Sequence, residues 1–205
     1  FGVKIYINTT VVSIHEGGRL VLSTDDGIIE IAARRVILST GVRETPCAPR
    51  FVSGQRPLGI STTGALQAMV FLNDTIPFKR PIIIGSELVS FSSLLTCRKA
   101  GIKPVAIIEL NSRITARSVF KFVPPVFGVP LKLNTNLVEI FGETRVTGVR
   151  LMNFAGVLRD VDCDGVLFTG KFTPESSLMR MGHLEIDQAS GGPVVNQNGQ
   201  CSDPC

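Results

Sequence analysis

The sequence has no tryptophan, one tyrosine and only two histidines among 205 residues, and each scarcity removes a class of function. His15 and His183 stand far apart, so neither a zinc site nor a Ser/His/Asp triad assembles without unusual folding. No metal site and no catalytic residue is assigned. Nucleic-acid binding is poorly supported, because the basic excess comes without aromatic platforms or RRM, zinc-finger or helix-turn-helix spacing. The net charge is +4 and the pI near 9.0, yet Arg34, Arg35, Arg43, Arg50, Arg56, Lys79, Arg80, Arg98 and Lys99 never stand four in a row. That dispersal is the pattern of a solvated basic face. Long apolar runs are also missing, each being broken by Gly, Pro or charge short of the roughly 18 residues of a membrane span. No membrane partner is expected, and no signal or transit peptide is legible.

What is present is ample core material. Hydrophobic residues make up 44%, which excludes disorder and suffices for one good-sized domain or two small ones. Charged residues are only 19% and mean hydropathy is +0.30, so apolar surface is expected to lie against a missing partner. The chain opens at Phe1 without an initiator Met and enters a β-like pattern at once, which predicts a processed or excised piece. Five cysteines are an odd number. Cys47, Cys97 and Cys163 have no motif neighbours and read as reduced thiols of a cytoplasmic protein. Cys201 and Cys205 form C-x-x-x-C, with nothing nearby to lower a thiol pKa.

Residues 1–41 read as strands. Val3, Ile5 and Ile7 alternate, Arg19 to Thr24 and Gly27 to Ile31 flank the Asp25-Asp26 turn, and Arg35 to Gly41 gives a fourth, apolar strand. Pro46, Pro49 and Pro57 with Gly54 and Gly59 mark a connecting loop and a domain boundary. A helix is expected from about Gly64 to Leu72, capped by Thr62 or Thr63. Then Pro81 to Ile84 is a buried strand ending at Gly85, residues 86–100 carry Leu88, Phe91 and Leu95 near helical spacing, and Val105 to Ile108 is a second strand ending at Glu109. This βαβ unit of about thirty residues has the size of a dinucleotide-binding half. A looser third turn follows, with a helix from Ser112 to about Val123 ended by Pro124-Pro125, and then an extended run at Leu131 to Leu133. A hairpin of Leu137 to Phe141 with Arg145 to Met152 and a last buried strand from Val161 to Thr169 complete the pattern.

These residues resemble the middle of an FAD-dependent pyridine nucleotide-disulfide oxidoreductase, in particular the branch with opine oxidase and hydrogen cyanide synthase flavin subunits. Four patches carry the resemblance: Val36 to Pro46, similar to a strand followed by A-T-G-x-R-x-x-P with Ser39 for the usual Ala; Ile82 to Glu109, similar to the inserted βαβ unit; Asp164 to Glu175, similar to the exit strand with G-x-x-P; and Gly191 to Pro204, similar to the strand and turn before a second flavin-contacting motif. The resemblance implies an α/β fold, with a Rossmann-like NAD(P)-binding domain and a β-hairpin or meander flanked by partial FAD-domain strands. It implies residues 1–50 as a remnant of the FAD domain, 51–175 as the NAD(P)-binding domain and 176–205 as the return segment, with 1–45 and 185–205 paired together. Thr40, Gly41 and Arg43 would lie near FAD in the parent. The Gly-rich turn that receives a flavin pyrophosphate would lie upstream of Phe1, so FAD is expected in the full-length parent only.

For the nicotinamide nucleotide the implied contacts are Gly85, Ser86, Glu87, Leu88, Glu109 and Gly170. A dinucleotide turn asks for glycine at three places, and here Gly85 fills the first while Glu87 and Ser90 stand at the second and third. Two like charges about 4 Å apart cost roughly 4 kcal/mol at an effective dielectric near 20, about three decades of affinity, if Glu87 faces the phosphates. In the first helical turn it could equally face solvent and favour the helix dipole. Glu109 fits the acid that hydrogen-bonds an adenosine ribose, which favours NAD over NADP. Two functions follow. One is NAD(P)H docking for hydride transfer to flavin, its partners being the remaining FAD-domain portions and a further protein subunit; the other is a Rossmann-shaped structural or subunit-docking module that has lost the nucleotide.

Overall fold

The computed structural model describes residues 2–203, and the chain divides into one unit of residues 1–43 with 173–205 and another of residues 44–172.

The first unit begins with β1 (Thr10–His15), β2 (Arg19–Thr24) and β3 (Gly27–Ala32), an antiparallel meander in that order. Thr24 pairs with Gly27 across the Asp25-Asp26 turn, as the turn residues predict. Two expected strands are absent among the described residues: the alternating run at Val3 to Ile7 and the run from Arg35 to Gly41 join no sheet. Val3, Ile5, Ile7 and Ile37 are exposed. An apolar pattern specifies a face, but a strand also needs a neighbouring strand for its N–H and C=O groups, and neither run lies in a ladder. Likewise Gly191 to Val195 forms only an isolated bridge, Ile186 to Pro193. The short strand β4 (Val42–Glu44) follows the meander.

In the second unit, the segment expected as a loop contains β5 (Ser53–Gly54), after which come β6 (Ile60–Thr62), α1 (Thr63–Leu72), β7 (Pro81–Ile84), α2 (Leu88–Lys99) and β8 (Ala106–Ile108). Next are α3 (Val123–Val126), β9 (Leu131–Lys132), β10 (Thr135–Phe141), β11 (Gly148–Asn153), β12 (Leu158–Asp162) and β13 (Gly165–Phe168). A parallel sheet runs β6-β13-β7-β8-β9, and a second sheet runs β12-β11-β10-β5. The period of two along each parallel strand divides the core. Ile82, Ala106, Ile108, Val166 and Phe168 face the second sheet with Leu137, Ile140, Val149 and Leu151. Their alternates Ile83, Ile107 and Leu167 face the helices with Leu66, Phe91 and Leu94. The unit is therefore a three-layer α/β fold. The chain returns through β14 (Phe172–Pro174), which forms a two-stranded ribbon with β4, and α4 (Ser177–Met181), which packs against β1.

Three expectations need correction. The run Val161 to Thr169 is two strands in different sheets, because Cys163-Asp164 turns the chain from β12 to β13 and the Asp164 carboxylate accepts from the Lys79 and Arg80 amides at 2.7 and 2.6 Å. The helix expected from Ser112 is a 3-10 turn over Ser118–Phe122 followed by α3, and Pro124-Pro125 start that turn rather than end it, since the first helical positions need no N–H partner. On α2 the buried stripe is Ser90, Phe91, Ser93, Leu94, Thr96 and Cys97, whereas Leu88 and Leu95 are exposed. Small side chains let the helix lie close to the sheet, so hydrophobicity alone mislocates its face.

Urea unfolding tests that register. Leu94→Ala is expected to cost about 2–5 kcal/mol and Leu95→Ala no more than about 0.5 kcal/mol; equal losses would contradict it.

Candidate functional site

The site is built where β7, β8 and β13 end side by side. Gly85 follows β7 with φ of 117°, a conformation that favours glycine, and its N–H donates to Ile108 O at 2.9 Å, tying the turn to β8. Ser86 is buried, Glu87 is the N-cap of α2, and Leu88 is the first helical residue with its side chain exposed. Across the turn, β13 is followed by Thr169 and by Gly170, whose φ is 60°.

The Glu87 side chain lies over both glycines. A Cβ placed on Gly170 would collide with the Glu87 carboxylate, and one on Gly85 would stand 2.5 Å from Oε2. The Glu87 carboxylate makes no cap bond to α2. Instead the Thr169 hydroxyl lies 3.2 Å and the Ser90 hydroxyl 3.4 Å from Oε2, and these two hydroxyls are 2.6 Å apart. Thr169 Oγ1 is also 3.0 Å from Ile84 O, so the strand end, the helix start and the carboxylate form one network. The Glu87 side chain therefore points inward, with the two glycines supplying the room.

Arg50, which sequence reasoning did not single out, closes the far side. Its guanidinium donates to Thr45 O at 2.9 Å, Thr169 O at 2.9 Å and Gly170 O at 2.8 Å, and it stacks over the Phe168 ring at 4.9 Å. Burial pulls its pKa below the ordinary value, while the negative charges of Glu87 and Glu44 work against that fall. Only its place in a Pro-rich segment marked Arg50 in the sequence, and that is no signal of a site.

Glu109, one residue beyond β8, is buried at 5% exposure. Oε1 accepts from the Asn111 N–H at 2.9 Å and Asn111 Nδ2 at 2.8 Å, while Oε2 accepts from Ser86 Oγ and from Thr115 Oγ1 at 3.4 Å. The Ser86 oxygen in turn accepts from the Thr115 N–H at 2.9 Å. Four donors occupy the roughly four lone-pair positions of a carboxylate. Gly85, Ser86, Glu87, Glu109 and Gly170 are thus gathered at one strand-end cluster, with Leu88 turned away. A pyrophosphate needs the space over Gly85 and Gly170, and a ribose needs free acceptors on Glu109. In this arrangement the residues present do not fit a dinucleotide.

In the other unit a cavity of about 690 Å³ is lined by His15, Val36 to Gly41, Glu175, His183 and Asp203 among others. Thr40 and Gly41 line it; Arg43 does not. The Thr40 hydroxyl donates to Glu175 O at 2.7 Å, and Arg43 grips the Glu175 carboxylate at 2.8 and 3.0 Å. Hydrogen bonds from Ser177 and the Arg43 charge hold the Glu175 carboxyl below its usual range. Among the described residues this unit has no strand-to-α-helix turn built on glycine.

The described cysteines, Cys47, Cys97, Cys163 and Cys201, are free, and the C-x-x-x-C spacing of Cys201 and Cys205 cannot be followed because Cys205 lies outside the described residues. Burial pushes the Cys97 thiol up to about 12 and the Cys163 thiol up to about 11, which leaves both as packing groups rather than nucleophiles. Among the described residues no cluster of His, Cys, Asp and Glu could hold a metal, and no helix is long and apolar enough to cross a membrane.

This strand-end cluster sits on a fold shared by a large class of nucleotide-binding oxidoreductases. The sequence pattern of the pyridine nucleotide-disulphide oxidoreductases matches residues 1–205, and the chain belongs to that family. The A subunit of opine oxidase from Rhizobium meliloti (strain 1021) is 23% identical over 159 residues, which is 77% of this chain and 34% of that protein. Thioredoxin reductase of T. acidophilum superposes with a TM-score of 0.74 at 23% identity, covering 96% of this chain and 62% of that one. An FAD-dependent pyridine nucleotide-disulphide oxidoreductase from Desulfovibrio vulgaris gives 0.68 at 19% identity, over 96% of this chain and 51% of that one. The chain therefore spans about a third of the curated relative it matches and half to three-fifths of these structures.

Two outcomes are expected. Glu109→Ala strands the Ser86, Asn111 and Thr115 donors and should cost about 1–3 kcal/mol in urea unfolding; an unchanged midpoint would show that the network carries no stability. A thiol reagent followed by mass spectrometry should label Cys201 in the folded protein and reach Cys97 and Cys163 only after denaturation.

Proposed function

We propose that the chain is the dinucleotide-fold portion of an FAD-dependent oxidoreductase in which the residues 44–172 unit serves as a structural or subunit-docking module and does not dock NAD(P)H. One observation carries this reading: the Glu87 carboxylate lies over Gly85 and Gly170, in the space a pyrophosphate would use. The engaged Glu109 supports it. Flavin chemistry belongs to the longer protein, with Thr40 and Gly41 on the flavin side, and electrons arrive from an oxidised substrate or a partner subunit rather than through this unit. FAD, when bound, supplies the redox chemistry; this chain supplies framework and placement. The free thiols agree with a reducing, cytoplasmic setting.

A second reading is favoured by the turn itself. Gly85 between β7 and α2, with Glu109 at the end of β8, is the arrangement that suits NAD(P)H docked toward a flavin, with NAD preferred over NADP. It requires Glu87 to leave the turn and Glu109 to release its partners.

Calorimetric titration with NADH and, separately, NADPH distinguishes them. The proposal expects no binding below millimolar concentrations for either. Micromolar NADH binding, with NADPH weaker, would replace it with the second reading.

A further inference from the structure

We propose that Glu87 is a built-in anion: its carboxylate occupies the phosphate position of an otherwise intact strand–turn–helix cradle, and it is the single residue that closes this cradle to phosphate compounds. The proposal rests on the reading that the unit docks no NAD(P)H, and it goes further by naming the determinant and the ligand class the remaining groups still suit.

The cradle's parts are present apart from Glu87. The turn has a left-handed Gly85, and Gly170 opposite it leaves backbone exposed to whatever sits between the two strand ends. The α2 helix is twelve residues long, and its N-terminal partial positive charge points into this turn. Two hydroxyls, from Ser90 and Thr169, face the carboxylate oxygen, and both residues are themselves buried with 0% exposure. Arg50 adds a permanent positive charge behind Gly170. Helix end, hydroxyl pair and nearby guanidinium are the surroundings that stabilise an anion, and the anion they hold is part of the chain. A bound phosphate and the Glu87 carboxylate need the same volume and the same donors, so they exclude each other by space and by charge.

Emptying the cradle costs the helix little locally, because Glu87 makes no side-chain cap bond and glycine is well tolerated at an N-cap. Thermal unfolding and calorimetry with inorganic pyrophosphate therefore test the proposal on Glu87→Ala, Glu87→Gly and Glu87→Gln. Glu87→Ala and Glu87→Gly are expected to bind pyrophosphate at least about ten-fold more tightly than the unchanged chain, with a raised melting temperature in its presence. Glu87→Gln removes the charge but keeps the cradle filled, and is expected to gain less than Glu87→Ala and Glu87→Gly. An equal gain in all three would mean that charge alone closes the cradle, and would overturn the claim that Glu87 occupies it. Folded Glu87→Ala or Glu87→Gly with no gain would overturn the claim that the remaining groups form a phosphate cradle. If both fail to fold alone, refolding with pyrophosphate decides: rescue supports the proposal, and no rescue overturns it. Micromolar NADH binding by the unchanged chain is a separate result, which removes the underlying reading.

Discussion

Three strand ends and one helix start meet at Gly85, and the shape of that meeting depends on a backbone that only glycine adopts without strain. Gly85 with φ of 117° lets β7 turn into α2 while its N–H remains bound to β8, and Gly170 with φ of 60° does the same for the exit from β13. Two adjacent left-handed glycines leave a hollow. An empty hollow lined by hydroxyls, carbonyls and a helix end would be poorly compensated, and the Glu87 carboxylate fills it. Ser90, Thr169 and Arg50 are arranged around that group.

The same economy governs the neighbouring acid. Glu109 closes β8 with a carboxylate that accepts four protein donors, two from Asn111 and one each from Ser86 and Thr115. A buried carboxylate is tolerated only when its lone pairs are satisfied, and satisfaction from within leaves nothing for a ribose. Both acids at this strand end are thus engaged within the chain, Glu109 with Ser86, Asn111 and Thr115 and Glu87 with Ser90 and Thr169. Family membership and fold remain those of nucleotide-binding oxidoreductases, and a fold of that kind does not by itself imply that every site on it is used.

Of the parallel strands, β7 and β8 were legible because Ile82 to Ile84 and Ala106 to Ile108 are short, apolar and bounded by turns or charge, whereas β13 was read as one run with β12 and β6 lay at the end of the segment read as a loop. Gly85, Glu109 and Gly170 were legible from their place after those strands. The face of α2 was not, since Ser90, Ser93 and Cys97 are buried for closeness rather than hydrophobicity. Nor was the absence of the runs near residues 3–7 and 35–41 from any sheet, since an apolar pattern reports a face but not a neighbouring strand. The direction of the Glu87 side chain had no sequence signal, because it depends on Thr169 and Gly170, more than eighty residues away in sequence. Arg50 was hidden for the same reason: its partners lie across the fold at Thr169 and Gly170.

The central claim is that the cradle's anion is Glu87, and a crystal structure grown with millimolar NADH tests it most directly. Density for the Glu87 carboxylate is expected over Gly85 and Gly170, with Ser90 and Thr169 beside it and no dinucleotide in the turn. A pyrophosphate seated on the amides after Gly85, with Glu87 turned to solvent, would contradict it.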